Sequence, residues 1–147
     1  KPLSRAEMTD DSGTLPAGGH LSSATNLVRF ADAFITGKLV SGATVALMLP
    51  DASQTERPQS EAWRDALPSR ENYGYGVMAF PSIRGRWIGH TGRQAGASVI
   101  VIASPDKRLS LAVMTNVKGW NGYISFVDRI RTIVEEAEQT AESDITE

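Results

Sequence analysis

The fold rests on Gly89-His90-Thr91-Gly92, with GASVIVIA at residues 96–103 and LSLAVMTN at residues 109–116. The two longer runs are apolar and rich in β-branched residues, a composition typical of buried strands. Residues 104–108 between them contain Pro105 followed by Asp, which favours a tight hairpin turn. The pattern predicts adjacent antiparallel strands that carry a polar tripeptide, residues 90–92, at the rim of the sheet, where hydrolases place hydrogen-bond donors.

Helix and strand signals alternate along the rest of the chain. Ser22 or Ser23 can cap a helix that Gly37 ends, because glycine adopts the left-handed conformation without steric cost, and Ser41 can cap a second short helix. Residues 121–138 place apolar side chains on one helical face, which predicts a helix lying across the sheet. Four antiparallel strands are predicted, at residues 73–80, 86–90, 97–103 and 109–115. Residues 51–72 are interpreted as a surface loop and residues 139–147 as a frayed tail.

Composition limits the function classes. The chain has 147 residues, of which 41% are hydrophobic, enough for one compact α+β domain. A net charge of -2 with scattered arginines gives no basic surface for nucleic acid. With no cysteine and two histidines outside any metal-binding motif, we expect neither a metal nor another cofactor. No apolar run reaches the length of a membrane span.

The tripeptide, together with PAGG at residues 16–19 and SSATNLVRF at residues 22–30, resembles the penicillin-binding, serine β-lactamase-like family. The similarity is strongest to its class C, esterase, D-aminopeptidase and LACTB-like branch, and it covers residues 14–134. Members carry Ser-x-x-Lys, then Tyr-x-Asn or a relative, and finally Lys-Thr-Gly or His-x-Gly on a sheet strand. Only the last motif is present here. The resemblance therefore implies the C-terminal part of a β-lactamase/transpeptidase-like fold, with an antiparallel sheet and helices.

The resemblance also implies roles for individual residues. His90 would face the nucleophile and supply a positive or hydrogen-bonding group, Thr91 would hydrogen-bond a ligand carboxylate or catalytic group, and Gly92 would let substrate lie along the strand. The backbone N–H of Arg93 would be one oxyanion donor, the other coming from the nucleophile's own amide. Asn121 would lie near the substrate's carboxylate. Histidine in place of lysine favours an esterase or peptidase over a true β-lactamase.

Each of these residues also has a purely structural interpretation. His90 fits an ordinary surface or core histidine, and Thr91-Gly92 fits the end of a strand. Asn121 fits a helix N-cap. Two tyrosines near the first strand, Tyr73 and Tyr75, and Trp120 fit apolar packing as well as pocket walls.

No serine of the chain fits the nucleophile motif. Ser104 and Lys107 match Ser-x-x-Lys, but the real motif requires a helix N-terminus, and here a hairpin is predicted. Ser22 and Ser23 have no lysine at helical spacing after them and are interpreted as capping residues.

We therefore expect residues 1–147 to be the C-terminal portion of a β-lactamase-like domain, with residues 1–72 bordering the cleft and residues 73–138 forming strands and a helix. Its partners would be a small-molecule or peptide-like substrate and the missing N-terminal part of the same protein, or a second copy of itself. Alone it would expose a sheet edge and turn over no substrate. The alternatives are a non-catalytic sensing or scaffold domain and an unrelated α+β domain. Family resemblance points to a bacterial periplasm or cell envelope.

Overall fold

The structure, a computed structural model, describes residues 4–5, 10, 13, 15, 17–49, 72–80, 87–106, 108–117 and 122–146. Within these residues, two helices come first, followed by five strands and a long final helix. In chain order these are α1 (Ala24–Ile35), α2 (Gly42–Met48), β1 (Asn72–Tyr73), β2 (Met78–Phe80), β3 (Trp87–Gln94), β4 (Ala97–Ser104), β5 (Leu109–Thr115) and α3 (Gly122–Thr146). The α+β class predicted from the sequence is confirmed.

Local signals set the ends of the first two helices. The Ser23 side chain accepts a hydrogen bond from the backbone N–H of Asn26 at 3.2 Å, and Gly37 follows α1 with φ +74°. Ser41 accepts from the backbone N–H of Thr44 at 3.1 Å. These are the capping residues predicted from the sequence, because a cap depends only on residues within one turn of it.

The sheet is an antiparallel meander in the order β1-β2-β3-β4-β5. The prediction of one strand over residues 73–80 is wrong. The chain turns there, since the N–H of Gly74 donates to the carbonyl of Val77 at 2.7 Å and Gly76 has φ +73°. The third strand is longer than predicted, because all residues from Ile88 to Gln94 pair with β4. The polar tripeptide thus lies inside a strand and not at its end.

Strand alternation gives the sheet two buried faces. The α3 face carries the main core cluster, which consists of Met78, Phe80, Trp87, Ile100, Ile102 and Val127. On this face the indole N–H of Trp87 donates to the carboxylate of Glu135 at 3.1 Å, and the Arg131 guanidinium lies 5.9 Å from the centre of the same ring. The opposite, α1 face carries Ile88, His90, Val101 and Ala103 beside α1. The sheet is therefore covered by one helix on each side.

Two predictions about the end regions can be compared with the structure. Residues 139–146, predicted as a frayed tail, are helical and continue α3. Ser104 ends β4 fully buried, in register with Leu109, and Arg108 in the connection has φ +51°. Ser104 is thus at a hairpin and not at a helix N-terminus, as predicted. Of the helices described here, none is both long and apolar enough to cross a bilayer.

Candidate functional site on strand β3

Among the described strands, β3 has a neighbour along nearly its whole length on one side only. Strand β2 pairs only with residues 87–89 of β3, whereas β4 pairs with β3 as far as Gln94. Beyond Gly89, none of the strands that the structure describes pairs with the outer side of β3. A strand edge with no neighbouring strand presents backbone N–H and C=O groups to whatever lies beside it. We call residues 90–94 on this side the open edge.

The hairpin between β3 and β4 indicates which backbone groups face the open edge. It has two connecting residues, Ala95 and Gly96, and Gln94 pairs with Ala97 across it. In such a hairpin the closing pair is hydrogen-bonded and the bonded pairs then alternate along the strands. This alternation predicts that the N–H and C=O of Thr91 and Arg93 point away from β4. The N–H of Arg93 is thus expected at the open edge.

His90 is the polar side chain of the tripeptide on the α1 face. It is half-buried, and its Nδ1 lies 2.6 Å from the carbonyl oxygen of Thr91, while its Nε2 lies 3.0 Å from the hydroxyl of Tyr73. The two rings meet edge to face, with centroids 5.6 Å apart. Because a carbonyl bonded to β4 would point into the sheet, the bond from His90 agrees with an outward-facing Thr91 carbonyl. The sequence singled out His90 but did not predict its contact with Tyr73.

An open pocket of about 460 Å³ lies beside His90, between α1, α2 and the sheet. Its walls are almost wholly apolar and include Phe30, Phe34, Leu39, Tyr75, Ile88 and Val101. The sequence predicted α1 as a helix but not that its apolar side chains would form a wall opposite β3, since packing between distant segments has no local signal. The interpretation of Tyr75 as a pocket wall agrees with this arrangement.

Thr91 lies on the other face of the sheet from His90. Its side chain is 6% exposed, and its hydroxyl contacts the sulfur of Met78 at 4.0 Å. The hydroxyl lies on this face because successive side chains of a strand point to opposite faces, and its expected bond to a ligand carboxylate or catalytic group stays a prediction. Only the backbone of Thr91 borders the open edge.

Of the remaining predicted site residues, the structure describes Gly92 and Arg93 but not Asn121. Gly92 lies on β3 opposite Val99, and a Cβ added there would come within 2.9 Å of a methyl carbon of that valine. The side chain of Arg93 is exposed. Asn121 lies outside the described residues, as do Lys107 and Trp120, so the role suggested for Asn121 stays a prediction.

The sequence of this chain matches a known protein family. The sequence model of the Beta-lactamase family matches residues 1–133. The chain belongs to the Beta-lactamase family. Among curated proteins, no sequence is significantly similar to it. Family membership confirms the resemblance found from the tripeptide and the segments before it.

A solved D-amino acid amidase shows the same fold, and two further structures match this chain in part. D-amino acid amidase from Ochrobactrum anthropi SV3, complexed with L-phenylalanine amide, matches 80% of this chain with 34% of its own length, at 17% identity and a TM-score of 0.62. A D-stereospecific amidohydrolase from Streptomyces sp. is 26% identical over 66% of this chain and 26% of its own, with a TM-score of 0.49. SurE is 28% identical over 65% of this chain and 21% of its own, with a TM-score of 0.47. The chain thus spans between about a fifth and a third of the length of these structures.

Proposed function

We propose that this chain forms the sheet wall of the active site in a serine hydrolase that cleaves ester, amide or peptide bonds through an acyl-enzyme. The observation that carries the proposal is the open edge of β3, where His90 borders a pocket in a chain of the Beta-lactamase family. In this family fold a substrate can lie along an unpaired strand and meet backbone donors there.

The chain would contribute binding and polarisation to the reaction. The N–H of Arg93 would donate to the oxygen of the tetrahedral intermediate, and one such donor is typically worth about 3 kcal/mol of transition-state stabilisation. His90 would hold or move a proton near the reacting carbonyl. Because Gly92 has no side chain, a substrate backbone could approach the strand closely at this residue.

The nucleophile would come from a Ser-x-x-Lys motif. The sequence has one Ser-x-x-Lys, at residues 104–107. Its serine is buried at a hairpin, three residues beyond Val101, the residue that pairs with His90. In the complete site the nucleophilic serine would attack the carbonyl carbon and lose its proton to a base. The bond to the leaving group would break, the leaving group would gain a proton, and water would then cleave the acyl-enzyme. This chain alone would therefore be inactive.

The bond class follows from His90 and the pocket. An imidazole near neutral pH can either donate or accept a proton, whereas a lysine at this place stays charged. The apolar pocket beside it suits an aliphatic or aromatic group of the substrate. We therefore favour esters, amides and small peptides over lactams.

A fluorescent probe that acylates or phosphonylates active serines tests the proposal. We expect the longer protein that contains this chain to be labelled, its His90→Ala variant to be labelled more slowly by roughly a hundredfold, and the 147-residue chain to stay unlabelled. The exposed His20 provides the matched control, and His20→Ala should be labelled at the rate of the unmodified protein. An unlabelled longer protein would contradict the proposal and favour a sensing or scaffold role. Labelling of the isolated chain would refute its inactivity.

A further inference from the structure

Tyr73 is brought to His90 by the first two strands of the sheet. Tyr73 pairs with Met78, which in turn pairs with Gly89, the residue before His90. This register lets the Tyr73 hydroxyl come within 3.0 Å of Nε2 of His90. The side chain of Tyr73 is 42% exposed, so the contact lies at the accessible side of the site.

The two contacts of the His90 ring determine its neutral tautomer. The carbonyl oxygen of Thr91 can only accept a hydrogen bond, so Nδ1, at 2.6 Å, must carry the hydrogen and donate it. A neutral imidazole has one N–H, which leaves Nε2 without a hydrogen. Nε2 therefore accepts, and the hydroxyl of Tyr73 donates to it.

The same two partners also suit the protonated ring. When His90 gains a proton at Nε2, that N–H can donate to the Tyr73 oxygen, while Nδ1 keeps its bond to the Thr91 carbonyl. The ring need not rotate between its two states. Since Nδ1 is committed to the backbone, Nε2 is the nitrogen whose protonation changes, with the Tyr73 hydroxyl as its partner in both states.

We propose that Tyr73 is a positioning residue for His90, which holds the ring in its Nδ1–H tautomer and keeps Nε2 ready to accept a proton. The inference rests on the proposed function for its catalytic consequence, but the tautomer itself does not depend on activity. Tyr73 acts through His90, whereas the substrate meets His90 and the open edge.

Nitrogen NMR of the histidine ring tests the tautomer. The longer protein that contains this chain is labelled with ¹⁵N-histidine, and His90 is assigned by the signals lost in His90→Gln. We expect a protonated Nδ1 and a hydrogen-free Nε2 in the neutral state. In Tyr73→Phe the Nε2 resonance should move towards that of a free ring nitrogen, and the other tautomer should gain population. Tyr75→Phe removes the same hydroxyl two residues away and should leave the His90 signals unchanged.

Two NMR results would overturn the inference. One is an Nε2–H tautomer in the unmodified protein. The other is a His90 spectrum that Tyr73→Phe leaves unchanged or that Tyr75→Phe changes as strongly. Circular dichroism of each variant identifies a change that comes from misfolding, and Tyr73→Trp, which retains an N–H donor on an aromatic ring, gives a second variant for the same measurement.

Kinetics separate this inference from the proposed function. With an ester substrate we expect Tyr73→Phe to lower kcat by roughly threefold to tenfold at an unchanged KM, because one neutral hydrogen bond to His90 is lost. An unchanged kcat with an altered NMR spectrum would overturn the positioning role. If the unmodified protein turns over no substrate, the proposed function fails, while the NMR result still decides whether Tyr73 holds His90.

Discussion

At the scale of single residues, the close approach of β3 and β4 explains why glycines flank the His90-Thr91 pair. A Cβ built on Gly89 would overlap the backbone carbonyl of Val101, which cannot move without breaking the strand pairing. A Cβ on Gly92 meets only a side-chain methyl of Val99 at 2.9 Å. Gly89 is therefore required by the sheet itself, whereas the space at Gly92 can adjust.

This difference gives a prediction for the two glycines. Gly89→Ala should lower the free energy of unfolding by more than about 3 kcal/mol, because backbone must shift. Gly92→Ala should lower the free energy of unfolding by only about 1 kcal/mol, because the Val99 side chain can shift. The main effect of this substitution should be a loss of activity. Urea unfolding of the chain followed by circular dichroism measures both losses of stability. Equal losses of stability would contradict the interpretation of the close approach.

The residue scale also shows where sequence reasoning about the site succeeds and where it fails. His90 could be singled out because its neighbours form a recognisable motif. The motif left open that the hydroxyl of Thr91 lies on the face opposite His90, because it names residues but not the direction that each side chain takes from the strand. The contact of Tyr73 with His90 joins residues 17 positions apart. It follows from strand register, which the sequence left open.

At the scale of secondary-structure elements, α3 is the support for the sheet beneath the site. Val127 of α3 is 2% exposed and packs in the core cluster with side chains of β2, β3 and β4. On the same face of the sheet, which is opposite to His90, the indole N–H of Trp87 donates to Glu135 of α3. Since β3 holds both Trp87 on the α3 face and His90 on the α1 face, the docking of α3 helps to keep the site strand in place.

The helix α3 offers a matched pair of substitutions. Val127→Ala should reduce the free energy of unfolding by about 2 kcal/mol, through lost burial and the cavity that remains. Ile133→Ala, at a position 55% exposed on the same helix, should change it by less than about 0.5 kcal/mol. Thermal unfolding of both variants checks the assignment. A larger effect at Ile133 would mean that α3 docks through a different face.

Elements differ in how well the sequence predicted them. The caps at Ser23 and Ser41 and the two long hairpin strands were found because their signals are local or continuous. The split of residues 73–80 into two strands was missed, because in the sequence Gly74 and Gly76 fit a bulged strand as well as a turn. Only the structure shows the turn, in which Gly76 has φ +73°. The third strand extends to Gln94 because β4 pairs with it there, not because its own residues favour strand.

At the scale of the whole molecule, several large apolar side chains of the described residues are exposed. Exposed fractions reach 61% for Phe30 on α1 and 75% for Leu47 on α2. Strand β5 ends the sheet, and none of the strands in the described part pairs with its outer edge. The expectation that another part of the same protein or a second copy completes the chain stays a prediction.

We therefore predict that the isolated chain self-associates at micromolar concentration. Phe30→Glu and Leu47→Glu should shift it towards monomer, because each places a charge in the apolar surface. Gln139→Glu adds the same charge at an exposed position of α3 and should leave the association unchanged. Sedimentation velocity measures the mass of each species. A monomeric chain that binds no hydrophobic dye would contradict the prediction.

The sequence by itself determined the α+β class, the helix caps, the main hairpin and the family. The first three depend on residues that are close together in the chain, and the family depends on short motifs that can be recognised in the sequence. Tertiary structure decided the rest: the open edge at residues 90–94, the placement of His90 and Thr91 on opposite faces, the apolar wall from α1 and the bond from Tyr73. Each of these depends on register and packing between segments far apart in the chain. Such contacts have free energies set by the whole fold, so no short stretch of sequence specifies them.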